Sequence, residues 1–387
     1  MKVVIVGGGF GGVKTALALA NKPGIHVDLI VRKEHFEYHG ALYRTATGRS
    51  PLEVVIPLRE IFERARNVEV ILDEATRIDA KRKVILGSLG DRYPYDTLVL
   101  ALGSVVMYRD IPGMEEHAYA INTIEDAIRM RHALILQFKK PIKRPVRIAV
   151  IGAGPTGVEL AGELKAFAHL VAEKQGTHAR PVDVTLVEGS EKVLPMFSQK
   201  ASTKAYKRLR KLGVHMRLNC RVDSCDPGKL CLESEDLKAD VIVWTAGSQI
   251  APFYQEQGQL FEMDHGKVIV DNYLRAKGQR HIFVIGDNAK TKFSGMAQTA
   301  LHDAVYLAKN IIREHHGRKL VAYKDHPPVY VVPVGHGWAV YQHGDRIKTG
   351  YRAWRIRRRA DLAIARNFLP YQQALKTWRK GNKRAKF

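Results

Sequence analysis

The sequence predicts an α/β chain with two βαβ units in tandem, each feeding a parallel sheet, and a basic helical tail at the C-terminus. Three observations predict it. A strand, a glycine run and a helix open the chain; the same series returns from Arg147; and bases interleave with large apolar residues at the end.

Lys2 to Val6 is a short apolar run of the kind buried on both faces of a parallel sheet, and Gly7-Gly8-Gly9-Phe10-Gly11-Gly12 follows it. Val13 to Ala20 then has a helical pattern, and Ile25 to Val31 is strand-like. The second unit runs from Arg147 to Ile151, turns at Gly152, continues as a helix from Gly157 to about Ala168, and ends in the strand Val182 to Glu188. Three further apolar strands each run into small residues: Asp96 to Ala101 before Leu102-Gly103-Ser104, Asp240 to Thr245 before Ala246-Gly247-Ser248, and His281 to Ile285 before Gly286-Asp287. Strand ends of this type border a ligand crevice in open α/β sheets. Ile111 to Thr123 is the expected crossover into the second unit, and the segment after Asp271 the return. The first domain is therefore discontinuous, residues 1–112 with 272–328, around a second domain at 113–271, and residues 329–387 form the tail.

Composition bounds the function. The 387 residues are 45% hydrophobic and 26% charged, as in ordinary globular proteins. No run approaches the roughly 18 apolar residues of a spanning helix, so any membrane role is peripheral. The net charge is +23, and from Arg346 onward fourteen Lys or Arg stand against one acid, Asp361. Such a block suits a polyanionic partner. Cys220, Cys225 and Cys231 form an odd set without a CxxC pair or a zinc-type spacing, which predicts a reducing compartment and no metal site.

The glycine runs carry the chemistry. In the first, Gly7 permits the tight turn, Gly9 allows backbone to approach a pyrophosphate, and Gly12 lets helix and strand pack closely. Helix-terminal N–H groups then bind phosphate. Strand two ends at Val31, where a ribose-binding carboxylate is usual; Arg32, Lys33 and Glu34 follow, so that either Glu34 reaches the ribose or the contact is absent. In the second run, Gly152, Gly154 and Gly157 form the turn, and strand two ends in Glu188. A carboxylate there accepts from an unmodified ribose hydroxyl and repels a 2'-phosphate. With Gly189 and Ser190 following instead of Arg, NADH is favoured over NADPH. A strand-end Asp287 is either a turn or helix cap or a carboxylate for a ribityl hydroxyl, and together with two βαβ units in this order it points to FAD at the first site.

These segments together resemble the type II NADH dehydrogenases, NADH:quinone oxidoreductases with a glutathione-reductase-like pair of Rossmann folds. The resemblance rests on Val3 to Gly12, Val27 to Gly48 with its ending Leu42-Tyr43-Arg44-Thr45-Ala46-Thr47-Gly48, the block Gly152 to Leu164, Val243 to Gly247, Ile285-Gly286-Asp287, and Ala297-Gln298-Thr299-Ala300. It implies FAD on Gly7, Gly9, Gly12, Gly103 and Asp287, with Phe10, Gly11, Lys33, Ala75, Ala101, Gly286, Ala297, Gln298 and Thr299 lining the same site. It implies NADH on Gly152, Gly154, Gly157, Glu188 and Gly247, with Pro155, Thr156 and Ala246 alongside. Glu159 or Glu163 would face nicotinamide and flavin, and Gln298 would lie at the quinone entrance.

Two departures stand out. The family continues this last motif with paired glutamines, where this chain has His302 and Asp303. His302 is a candidate proton donor near the acceptor, since imidazole titrates in the useful range. The tail is also short in apolar content. Tyr371, Leu375 and Trp378 fall at i, i+4, i+7 as an interfacial stripe beside a cationic face, while packing of that helix on the protein body is the rival reading.

Three functions stay open from sequence. The leading one is a peripheral enzyme on the cytoplasmic side of the cell membrane, oxidising NADH, reducing quinone without pumping protons, and attached to anionic lipid by its tail. The second is a soluble NADH-dependent flavoprotein reductase of a small acidic redox protein. The third, a redox-sensing nucleic-acid binder, is disfavoured by the apolar content of the tail. A homodimer is compatible with all three.

Overall fold

The structure is a computed structural model that describes residues 1–141, 144–175, 181–233 and 235–381. Two five-stranded parallel sheets carry it, and they are ordered alike. The first runs Ile282–Val284, Thr97–Leu100, Lys2–Val6, His26–Val31, Val68–Leu72; the second runs Tyr119–Ala120, Val241–Trp244, Val146–Ile151, Val182–Val187, Val214–Arg217. In each, the opening strand of the βαβ unit is central. Val4 pairs with Asp28 and Leu98 in one sheet, Val150 with Leu186 and Val243 in the other.

Burial on both faces explains the unbroken apolar runs. Val3 and Ile5 face the helices Phe10–Leu19 and Ala297–His315, whereas Val4 and Val6 face a three-stranded antiparallel meander, Ala75–Asp79, Val84–Gly87 and Arg92–Pro94. The second sheet repeats the plan, with Ile148 and Val150 toward the helix Pro155–Gln175 and Ala149 and Ile151 toward the meander Val222–Asp226, Lys229–Leu232, Asp236–Lys238. The two connections between the sheets, Ser104–Val106 and Ser248–Ile250, pair with each other as an antiparallel ribbon.

Some boundaries differ from the sequence reading. The first helix begins at Phe10, not Val13, because Gly12 must lie in its first turn to pack on the preceding loop. The second begins at Pro155, a residue suited to a first helical turn, and runs to Gln175, well past Ala168.

The C-terminal region differs more. Before any tail helix comes an antiparallel sheet of Tyr330–Pro333, Ala339–His343 and Arg346–Gly350. Its second hairpin turns on Gly344-Asp345, with Gly344 at φ 54, a two-residue signal of the usual kind. The helices Tyr351–Arg366 and Tyr371–Lys380 follow. They pack on the body: Phe368 is 3% exposed, and its ring lies 4.3 Å from that of Phe36. Trp378 donates its indole N–H to the Arg358 carbonyl at 2.8 Å, with the Arg358 guanidinium over its ring. The expected stripe is thus divided, for Tyr371 is 56% exposed while Leu375 and Trp378 are half-buried against the body. The last six residues of the basic block lie outside the described residues. No helix among the described residues is long and apolar enough to cross a membrane.

Candidate active site

Both glycine turns lie at the C-terminal end of a central strand, and their three glycines divide the work identically. Gly7 and Gly152 have φ of +122 and +97, and a Cβ on either would strike the neighbouring strand end, Ala101 O at 2.2 Å or Ala246 Cα at 2.8 Å. A Cβ on Gly12 or Gly157 would lie 1.9 Å from the carbonyl oxygen of Gly7 or Gly152, so helix and turn touch backbone to backbone. Gly9 and Gly154, by contrast, would meet nothing within 4 Å. Open backbone at a helix N-terminus is a cradle that a phosphate can fill and a side chain would obstruct.

The strand-end position distinguishes the two turns. In the second, Glu188 Oε2 accepts from the Ala153 N–H at 2.6 Å, while Oε1 accepts from the Ser190 N–H and hydroxyl at 2.8 and 2.7 Å. In the first, Val31 packs on the turn instead, 3.2 Å from where a Gly8 Cβ would stand. Lys33 does not compensate through a free ammonium, since its Nζ contacts Glu37 at 2.6 Å and Glu125 at 2.5 Å. Phe10 contributes backbone to the turn, and its ring turns away to stack edge-on against Phe36 at 5.0 Å. Ala75 starts the first meander and is 7% exposed. Ala101 bonds its N–H to Val6 O. Gly247 is crowded by the Met107 carbonyl and Arg109, with Arg109 Nε donating to Ala246 O at 3.2 Å.

Around the first turn, residues 286–288 and 102–104 are stitched together. Ser104 donates its hydroxyl to Asp287 Oδ2 at 3.1 Å, and the Asn288 carboxamide holds both backbone groups of Gly103. Asp303 Oδ2 accepts from the Gly286 N–H at 3.0 Å and Oδ1 from the Tyr323 hydroxyl at 2.7 Å. Asp303 is fully buried, and burial pushes its carboxyl up despite those bonds. The departure from glutamine at this position therefore has a structural purpose: the acid anchors the helix Ala297–His315 to the turn that carries Asp287.

One face of that helix clamps an extended strap, residues 319–329, at nearly every turn. Gln298 bonds both backbone groups of Val329, His302 contacts Lys324 O at 2.9 Å, Tyr306 and Asn310 hold Val321, and Arg313 donates to Lys319 O. The His302 ring also stacks on His326 at 5.5 Å. Ala297 opens the helix, and Thr299, next to Gln298, turns inward to the Phe293 carbonyl at 2.6 Å. Gln298 and His302 lie one turn apart on the strap side, and Asp287 lies with Asp303 and Gly103.

Glu159 and Glu163 project from the helix behind the second turn, where the tail meets them. Glu159 is 5% exposed, and its Oε1 accepts from Arg357 Nη1 at 2.6 Å. Burial raises its carboxyl to about 7, with the Arg357 cation opposing the rise. Glu163 is raised too, by burial, against the pull of Arg49, His336 and Arg44. Arg357 passes the network on to Asp361 at 2.9 Å; Arg358 joins Asp361 to Glu53, and Arg44 reaches Glu53 at 2.5 Å. Tyr38 donates its hydroxyl to Asp361 at 2.8 Å. Arg44, Glu53, Arg357, Arg358 and Asn288 were missed in sequence; a lone acid at 361 amid the bases was the available signal for this buried cluster.

Two adjoining dinucleotide cradles with a buried carboxyl beside them define a pyridine-nucleotide flavoenzyme. Residues 1–304 match the pyridine nucleotide-disulphide oxidoreductase family. Two Mycobacterium tuberculosis proteins, type II NADH:quinone oxidoreductases Ndh and NdhA, are 33% and 31% identical, over 81% and 79% of this chain and 72% and 70% of theirs. The chain belongs to the type II NADH:quinone oxidoreductase family, whose cofactor is FAD. In fold it is similar to NDH2 from Plasmodium falciparum in complex with NADH, at TM-score 0.88 and 18% identity over 99% of this chain and 97% of that one. It is also similar to the sulfide:quinone oxidoreductase of Aquifex aeolicus, at TM-score 0.79 and 21% identity over 93% and 89%.

Proposed function

We propose that this protein oxidises NADH through FAD and passes the electrons to a membrane quinone, without pumping protons. The observation that carries this reading is the pair of equivalent glycine turns with open second glycines, one followed by Asp287 in the same cradle and the other faced by Glu188. Gly7, Gly9, Gly12, Gly103 and Asp287 would hold FAD, and Gly152, Gly154, Gly157 and Glu188 would hold NADH. Bound FAD supplies the chemistry, accepting a hydride equivalent and releasing electrons to a quinone.

The chain's own residues bind, orient and manage protons. Glu188 presents acceptors to a ribose and excludes a 2'-phosphate. Glu159 exchanges its proton near neutral pH, because burial favours the neutral carboxyl and the Arg357 cation favours the carboxylate. Gln298 and His302 hold the strap along the acceptor side of the helix, and His302 can supply a second proton there.

The membrane reading rests on the outer face of the tail. Arg352, Arg355, Arg359, Arg366, Lys376 and Arg379 are exposed, together with Tyr351, Tyr371 and the adjoining Leu52. Bases near an anionic leaflet contribute about 1 kcal/mol each. That face would attach the enzyme peripherally on the cytoplasmic side, where NADH is available.

The test is the absorption spectrum of purified protein under anaerobic NADH, then with a water-soluble quinone. Bleaching of a flavin band by NADH and its return with quinone is the expected result. Bleaching without return would move the acceptor to another class, and a colourless protein unable to take up FAD would remove the reading.

A further inference from the structure

Asn288 is fully buried, yet every polar atom of its side chain is used on the first cradle. Its Oδ1 accepts from the Gly103 N–H and from the Tyr254 hydroxyl, both at 3.0 Å, and its Nδ2 donates to the Gly103 carbonyl at 2.6 Å. Gly103 has φ of +69, and a Cβ there would meet nothing within 4 Å. One carboxamide therefore grips both backbone groups of a single left-handed glycine whose open side borders the cradle. The neighbouring residues repeat the link, because Ser104 bonds Asp287 at 3.1 Å.

We infer that Asn288 is a positioning residue for FAD: its amide, braced by Tyr254, holds the Leu102–Ser104 turn in the shape that accepts the cofactor. The chemistry requires one acceptor and one donor on the same planar group. Asparagine supplies both, whereas an ionised aspartate supplies only acceptors and would set a negative charge against the Gly103 carbonyl. Volume alone does not meet the need, and neither does hydrogen bonding of one sign. Tyr254 is itself fully buried and packs edge-on with Phe253 and Phe261, so the brace comes from a rigid aromatic cluster between the two connections and the first meander. Buried polar groups left without partners are strongly disfavoured. Loosening this clamp thus acts on the turn rather than on a solvated side chain.

The inference rests on the assignment of Gly103 and Asp287 to the FAD site, and the experiment separates the two. Asn288→Ala, Asn288→Asp, Tyr254→Phe and Asp287→Ala are compared for FAD content after purification and for FAD release followed by the rise of free-flavin fluorescence, between pH 5 and 8. Asn288→Ala is expected to release FAD at least tenfold faster than the parent at every pH, and Tyr254→Phe a few-fold faster. Asn288→Asp is expected to be as leaky as Asn288→Ala at pH 8 and to recover at pH 5, where a protonated carboxyl regains the donor that Gly103 needs. A purely structural side chain would not give that recovery. Should Asn288→Ala fail to fold, judged by circular dichroism, the pH recovery of Asn288→Asp and the Tyr254→Phe rate still decide. Parent-like release from Asn288→Asp at pH 8 overturns the inference. If Asp287→Ala also releases FAD like the parent, the site assignment itself is wrong; if Asp287→Ala leaks while the Asn288 variants do not, only the role of Asn288 falls.

Discussion

Arg357 and Glu159 share a buried ion pair of 2.6 Å that joins the C-terminal helix to the helix emerging from the second glycine turn. A tail that sequence reading assigns to a membrane surface is thereby wired into the site. Removing one partner of a buried pair strands the other charge, at a cost of about 3–5 kcal/mol. Arg357→Met is expected to lose stability of that order in urea and to move the pH dependence of turnover upward, since the cation is the main influence holding Glu159 down. Unchanged stability and pH profile would show that the pair is inconsequential.

The raised Glu159 carboxyl has a definite sign in stability. Its folded value, about 7, exceeds the ordinary 4.5, so the folded chain binds this proton more tightly than the unfolded one. The associated stability is complete below the ordinary value and is lost as pH rises toward 7. Glu159→Gln is expected to flatten that part of the stability curve between pH 4.5 and 7, measured by thermal unfolding. A curve parallel to the parent's would contradict the assignment.

In the proposed NADH site, Glu188 is expected to discriminate between the two nicotinamide cofactors. Replacement by Ala removes charged acceptors worth about 1.5–3 kcal/mol per bond, so KM for NADH is expected to rise about tenfold or more. KM for NADPH should rise less, narrowing the preference. Equal effects on both cofactors would place Glu188 outside the ribose contact.

The glycines separate folding from binding. Gly12→Ala sets a methyl 1.9 Å from the Gly7 carbonyl, and soluble folded protein is expected to be lost. Gly9→Ala projects a methyl into open space; this variant should fold and retain little FAD, read from the ratio of flavin to protein absorbance. Full flavin in Gly9→Ala would mean that the phosphates lie elsewhere.

His302 tests the acceptor side. In His302→Gln, reduction by NADH should be unchanged, while reoxidation by quinone slows and its pH profile changes. If both half-reactions match the parent at all pH values, His302 serves only the strap.

The tail face can be neutralised without touching the buried network. Changing Arg355, Arg359, Lys376 and Arg379, all exposed, to Gln should cost up to about 4 kcal/mol of binding to anionic vesicles, seen by sedimentation. NADH oxidation with a soluble quinone should persist. Parent-like sedimentation would send the attachment site elsewhere.

Periodicity and glycine spacing sufficed for the inner strands of both sheets, because buried parallel strands leave continuous apolar runs and phosphate turns tolerate few residue types, while the edge strands Val68–Leu72, Tyr119–Ala120 and Val214–Arg217, short or half-exposed, went unread. The close helix-to-turn packing at Gly12, repeated at Gly157, was legible from spacing because the constraint is backbone five residues away, whereas the strand ends that crowd Gly7 and Gly152, at Ala101 and Ala246, lie 94 positions off and were not. The sheet of residues 330–350 went unread, although Gly344-Asp345 is a two-residue hairpin signal, because its strands are short and lack a strict alternation of apolar and polar residues. The partners of Glu159, Asp303 and Gly103 were illegible for a different reason.

Glu159 meets Arg357 across 198 positions, and Gly103 meets Asn288 across 185. No local pattern encodes such meetings. What neighbouring residues dictate, namely strands, phosphate turns and the acid that ends a strand, can be read directly along the chain, since hydrogen bonds and sterics within a few residues enforce it. Which buried charge is matched, and which amide steadies the flavin-side turn, is decided only when packing brings distant segments into one low-dielectric interior, where an unpaired polar group is too costly to keep.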